Sequence, residues 1–96
     1  MKYYQIRYTE SHETDETCVN FLNKEKAIEW GCKNLFDLVG GESYHYYQYP
    51  VAKRLTDVQF QDNWFFYKYL DKENHEWTLK IGVLREREIN FEDEKK

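Results

Sequence analysis

Three histidines and two cysteines are the side chains of this sequence best suited to bind a metal ion or to attack an electrophile. His12, His45 and His75 lie far apart in the chain, and none stands at ligand spacing from a cysteine or an acid pair. Zinc sites usually draw on paired ligands at short spacing, and Cys18 and Cys32 do not form such a pair. A composite site of Cys and His stays geometrically open, but the spacing does not favour one.

The two cysteines also lack the surroundings of a catalytic nucleophile. A reactive thiol needs its pKa lowered by a helix N-terminus, a base or a cation. Cys32 falls on the apolar side of a predicted helix and Cys18 on a predicted strand, without a glycine-rich turn beside either. The many acids fall in loops, on the outer helix face and in the tail, and no phosphate-binding loop or nucleophile elbow occurs. The sequence therefore predicts a protein that is not an enzyme and has no catalytic residue, cofactor or metal site.

Composition predicts one small domain with an aromatic core. The 96 residues include nine Tyr, six Phe and three Trp, and the formal net charge is −4. A chain of this length buries only about 60–68% of its unfolded surface, so large core side chains are expected. No apolar run approaches the roughly 18 residues of a membrane span, and the first residues are not those of a signal peptide. We expect a single domain at residues 1–91, a disordered tail at 92–96, a cytoplasmic location and free thiols.

Hydrophobic periodicity predicts a hairpin and then a helix in the first half. Period-two alternation favours strands at residues 2–9 and 18–22, separated by an acidic loop. Asn23 is a good N-cap residue, and apolar residues follow it at helical spacing. Gly40 and Gly41 are expected to end the helix.

The second half reads as sheet. Aromatic and β-branched residues predict strands at 44–49, 64–70 and 77–83, whereas residues 51–63 have no clear pattern. The predicted fold class is α+β. We expect an antiparallel sheet of four to five strands in ββαβββ-like order, with one main helix packed on one face.

The predicted strand at 64–70 carries large aromatic side chains on both of its faces. If a four-residue loop pairs Leu70 with His75, the side chains that point away from the Leu79 and Ile81 core are Phe65, Tyr67 and Tyr69. A register shifted by one residue exchanges the two sets, so that Trp64 and Phe66 point away instead. An uncovered row of three such rings exposes roughly 500 Å², near the upper limit for an ordinary monomer. Either residues 51–63 or the segment around Ile89 and Phe91 covers the second face, or another chain does.

Tyrosine and tryptophan are enriched in protein interfaces, which favours a non-enzymatic protein-binding module. The predicted contact residues are Phe65, Tyr67, Tyr69, Tyr47 and Tyr49, with Glu13, Asp15 and Glu16 as an electrostatic rim. Small acidic, tyrosine-rich inhibitors encoded by phages and mobile elements, such as anti-restriction and anti-CRISPR proteins, are similar in size and composition. The corresponding hypothesis is an inhibitor or regulator of a nucleic-acid-processing complex.

Two other functions stay open. The same aromatic face, with Lys80 beside it, would suit a single-stranded nucleic acid. Against this stand the acidic net charge and the alternation of Arg85 and Arg87 with Glu86 and Glu88. The third hypothesis is a homodimer whose second sheet face is its own interface.

Overall fold

One helix lies on one face of an antiparallel sheet in the computed structural model, which describes residues 1–10, 13–39 and 51–89, with only the backbone at 51 and 52. The α+β class is confirmed. The elements are β1 (Lys2–Thr9), β2 (Glu16–Phe21), α1 (Lys24–Leu38), β3 (Val51–Arg54), β4 (Gln59–Gln61), β5 (Trp64–Asp71) and β6 (Glu76–Glu88).

The sheet has six strands in the described part of the chain, in the order β2-β1-β6-β5-β3, with β4 also pairing with β5. The predicted count of four to five was low because residues 51–63 form two short strands. These pair with opposite ends of β5, and β4 joins β5 through the two-residue turn at Asp62 and Asn63, both at positive φ. The predicted strand at 44–49 and the tail at 92–96 lie outside the described residues.

The helix begins where the sequence predicted. The side-chain oxygen of Asn23 accepts a hydrogen bond from the backbone N–H of Lys26 at 3.0 Å, which confirms Asn23 as the N-cap. The helix ends at Leu38, and Val39 caps it by donating its N–H to the carbonyl of Leu35 at 2.9 Å. The predicted end signal, Gly40 and Gly41, lies outside the described residues.

The core lies between α1 and the facing side of the sheet. Its fully buried side chains include Ile6, Leu35, Phe65 and Tyr67. The apolar stripe of the helix meets the sheet so closely at Gly31 that a Cβ there would overlap the ring of Phe65. The helix therefore depends on glycine at this crossing.

The turn between β5 and β6 decides which aromatic set is buried. The N–H of Asp71 bonds to the carbonyl of His75, and Asn74 adopts the left-handed conformation at φ 64°. This three-residue loop pairs Leu70 with Glu76 rather than with His75. The predicted four-residue loop was therefore wrong by one residue, and its shifted alternative is the one observed.

That shift moves the predicted contact residues Phe65, Tyr67 and Tyr69 into the core, where they are 0%, 1% and 2% exposed. Their assignment to the outward face was wrong, because a shift of one residue exchanges the two faces of a strand. The Phe65 ring packs at 4.8 Å from Phe60, and Tyr67 makes an edge contact with Phe36 at 5.2 Å.

A β-bulge at Ile81 changes the facing of the rest of β6. Phe65 pairs with Gly82 and Phe66 with Lys80, so Ile81 is the extra residue. Ile81 is buried in the core, as expected. Uninterrupted alternation with Ile81 would also place Val83 inward, but Val83 points away from the helix with its partner Trp64. Beyond the bulge, Leu84 is buried and the alternation continues to the end of β6.

Candidate functional site

The side of the sheet opposite α1 is called the open face. It comprises the strand residues in register with Arg7 on β1, with Trp64 and Phe66 on β5 and with Lys80 on β6. In the described ranges, residues 1–10, 13–39 and 51–89, the core cluster beneath α1 lies against the other side of the sheet.

Cationic side chains outnumber acidic ones on the open face. The register places six cations there: Arg7, Lys53, Lys68, Lys80, Arg85 and Arg87. It places two carboxylates there, Glu16 and Glu76. The described strand positions of this face therefore carry an excess of four positive charges, although the whole chain has a formal net charge of −4.

Ion pairs confirm these facings and divide the cations into two groups. Arg7 contacts Glu16 at 2.5 Å and Lys68 lies 3.8 Å from Glu76, each across neighbouring strands of the open face. The other cations of the open face form no ion pair with a described residue. These are Lys53, Lys80, Arg85 and Arg87. Within the part of the chain that the structure describes, a ligand could therefore reach these four cations without breaking an ion pair.

Arginine and glutamate alternate at the end of β6, and the positive and negative charges therefore lie on opposite faces of the sheet. Arg85 and Arg87 pair with Gln5 and Tyr3 of β1 on the open face. Glu86 and Glu88 point to the helix side of the sheet, where Glu86 lies 3.7 Å from Lys2. Counted along the sequence these charges cancel. On a strand the charges do not cancel, because successive side chains point to opposite faces and each face then carries charges of one sign from these four residues.

A shallow cavity of about 190 Å³ opens beside Arg7, where β1 and β6 separate after the Arg7–Val83 pair. Lys80 and Glu16 also line it, and the Nε of Arg7 is buried without a hydrogen-bond partner among the described residues. The ion pair of Arg7 with Glu16 occupies one side of this cavity, and Lys80 leaves its lining with one excess positive charge.

A second cavity, of about 220 Å³, is called the Trp64 depression. Its lining residues are Gln61, Asp62, Trp64, Phe66, Thr78 and Lys80. The Nζ atom of Lys80 stands 4.8 Å from the centre of the Trp64 ring, a cation–π geometry. The depression thus joins two half-buried aromatic rings to an exposed cation and a polar rim.

The acidic side chains of the predicted rim are exposed, whereas Phe65, Tyr67 and Tyr69 of the aromatic face that they were expected to surround are buried. Glu13, Asp15 and Glu16 are all exposed, and Glu16 is the member that lies on the open face. The two tyrosines of the predicted contact set, Tyr47 and Tyr49, lie outside the described residues. Sequence reasoning placed Lys80 beside the aromatic face but took Arg85 and Arg87 to be offset by Glu86 and Glu88. The period of two at 85–88 was the signal that could have assigned the arginines and the glutamates to different faces.

The described ranges contain no group of three or more His, Cys, Asp and Glu side chains placed to hold a metal ion. Burial raises the pKa of the Cys32 thiol, which is the opposite of what a nucleophile needs. Cys18 is exposed on the open face, on the other side of the sheet from Cys32. His12 and His45 lie outside the described residues.

His75 lies exposed at the β5–β6 turn, within 3.6 Å of the Asp71 carboxylate. The Trp77 indole N–H, at 2.8 Å, and then the backbone N–H of His75 hold the pKa of Asp71 below its usual value. The backbone N–H of Glu73 adds to this at 2.8 Å. These contacts close the hairpin and account for the polar cluster at its tip.

No helix in the described part of the chain is long and apolar enough to cross a membrane. No family model matches the sequence, and neither the curated proteins nor the solved structures contain a significant match to it.

Proposed function

We propose that this protein is a non-enzymatic binding module that contacts single-stranded nucleic acid through the open face. The observation that carries the proposal is the excess of cations on that face of an otherwise acidic chain. Phosphate neutralisation by Lys and Arg supplies most of the affinity of such complexes. This affinity depends more on the charge of the surface that contacts the phosphates than on the net charge of the whole protein.

The aromatic side chains favour nucleic acid over an acidic protein as the ligand. Trp64 and Phe66 are half-buried in the sheet surface. Phe66 pairs with Lys80 and is followed on the same face by Lys68, and Tyr3 pairs with Arg87. Rings interleaved with cations on a sheet are the arrangement on which unpaired bases stack while their phosphates are neutralised. A flat sheet also lacks a projecting helix that would enter a duplex groove.

The charge distribution does not suit the other functions inferred from the sequence. Two copies joined through their open faces would bring surfaces of the same sign together, which disfavours the homodimer. Phe65, Tyr67 and Tyr69, which were predicted to contact a protein partner, lie in the core, and the protein-binding hypothesis therefore has less support. An acidic protein partner is the remaining competitor, and the experiment below distinguishes it.

The test uses neighbouring residues of one strand as matched controls. We expect Arg85→Gln with Arg87→Gln to weaken binding of a labelled single-stranded oligonucleotide, and Glu86→Gln with Glu88→Gln not to weaken it. The slope of log K against log salt should fall by about 1.4, since each phosphate contact to a single strand contributes about 0.7. Fluorescence anisotropy across a salt series measures both quantities.

Two results would overturn the proposal. One is the absence of oligonucleotide binding at low salt, and the other is an equal loss of affinity in the arginine and glutamate variants. Salt-dependent binding of polyglutamate without binding of the oligonucleotide would assign the open face to an acidic protein instead.

A further inference from the structure

We propose that the Trp64 depression is a subsite for one unpaired nucleobase, which stacks on the Trp64 ring. This inference rests on the proposed function, because it identifies which part of the open face receives a base rather than a phosphate. Under this inference the protein contacts unpaired bases directly, whereas its charge alone would attract any polyanion.

The geometry of β5 provides the stacking surface. Trp64 and Phe66 are successive open-face residues on one strand, so their Cα atoms are about 6.6–6.8 Å apart. Both side chains line the same cavity of about 220 Å³. Asp62, in the turn that precedes β5, also lines this cavity and limits it at that end. The result is an apolar floor of limited extent, suited to a single planar group.

The charges around the depression distinguish a base from a phosphate. Asp62 stands at its rim, and its carboxylate would repel a phosphate placed there. Gln61 and Thr78 add groups that both donate and accept hydrogen bonds, which suits the edges of a base. The base therefore belongs in the depression and the phosphates toward Lys80 and the arginines of β6.

Lys80 links the two parts of the surface. Its ammonium group lies over the Trp64 ring in the free protein, and its side chain is exposed. Ligand binding would exchange that contact for a base on the ring and a phosphate on the ammonium group. Because a lysine is a flexible point charge, this exchange requires no change in the backbone.

The experiment compares Trp64→Leu, which keeps an apolar side chain, with Trp64→Phe, which keeps a ring. The probes are a mixed-sequence single-stranded DNA of about 12 nucleotides, within the usual range of site sizes, and base-free inorganic polyphosphate. We expect Trp64→Leu to weaken DNA binding about 5- to 150-fold, as the loss of one stacked base does, and Trp64→Phe to weaken it much less. Polyphosphate binding should stay unchanged in both variants.

Tryptophan fluorescence supplies an independent readout. DNA should quench the wild-type protein, and the quenching should be largely absent in Trp64→Phe while binding persists. Circular dichroism of both variants tests whether they fold. Thr78→Lys is a second test, because it fills the depression from β6 and keeps Trp64, and it should also reduce the quenching.

The outcomes separate this inference from the proposed function. DNA binding with equal affinity in the wild type and both Trp64 variants, and without quenching, would overturn the subsite and leave the proposed function standing. Equal loss of DNA and polyphosphate binding in Trp64→Leu would also overturn it, because a base-specific contact cannot affect a base-free ligand. Absence of DNA binding by the wild type would overturn both.

Discussion

Replacing Gly31 by alanine should destabilise this protein, although the same change stabilises most helix interiors. An added Cβ would stand 2.9 Å from Cδ1 of Phe65 and closer still to Cε1 and Cζ. Carbon atoms in contact prefer about 3.5–4.0 Å, so the ring must move by more than about 0.6 Å. Phe65 is 0% exposed, and the Phe60 ring lies 4.8 Å from it. The ring therefore has little room to move.

The magnitude is a balance of two terms. Alanine gains about 1 kcal/mol over glycine in a helix interior. Overpacking a filled core costs about 1–3 kcal/mol, and the severity of this overlap places Gly31→Ala at the upper end. The free energy of unfolding should fall by about 1–2 kcal/mol. For a domain of this size that lowers the Tm by about 4–16 °C.

The sign of this effect also tests the facing of β5. If Phe65 pointed away from the helix, the added methyl group would meet no ring, and the variant would gain about 1 kcal/mol. Urea denaturation followed by circular dichroism measures the difference. A control is Gly31→Ala in a Phe65→Leu background, where the penalty should shrink because the smaller side chain leaves space. A stabilised Gly31→Ala variant would refute the facing of β5, and with it the open face.

Two further changes probe the hairpin tip and the thiols. Asp71→Asn should destabilise the protein at neutral pH, since an amide replaces one of the oxygens that accept from Trp77 and the turn backbone. Because the pKa of Asp71 is lowered in the folded state, its contribution is present above the ordinary value of 3.8 and is lost as the pH falls through the lowered pKa. Wild type and variant should therefore converge in acid, and a constant difference across the pH range would contradict this. A thiol reagent at neutral pH should label exposed Cys18 faster than Cys32, whose pKa is raised by burial, and equal rates would contradict the placement of Cys32.

Local signals in the sequence were sufficient for the first half of the fold. The alternation at residues 2–9 predicted β1, and Asn23 predicted the start of α1 within one residue. These features depend on short-range physics: the side-chain period of a strand and the capping of free backbone N–H groups. Strands β3 and β4 were not predicted, because runs of four and three residues hold too few side chains to establish a period.

The candidate site depended on two backbone details that the sequence left ambiguous. Asn74 in the left-handed conformation shortens the β5–β6 loop, and the bulge at Ile81 reverses the facing of β6 beyond it. Each moves the register by one residue, and one residue exchanges a buried side chain for an exposed one. The loop is the reason why Phe65 was expected at a binding surface and lies instead in the core, and the bulge is the reason why Arg85 and Arg87 share the open face with Trp64.

By itself, the sequence determined that the chain forms an α+β domain with an aromatic core, because composition and periodicity are summed over many residues and tolerate local error. Only the tertiary structure decided which aromatic rings are buried and which charges share a surface. Arg85, Glu86, Arg87 and Glu88 illustrate the reason. They are four neighbours of mixed sign in the sequence, and the pleat of one paired strand separates them onto two faces of a sheet.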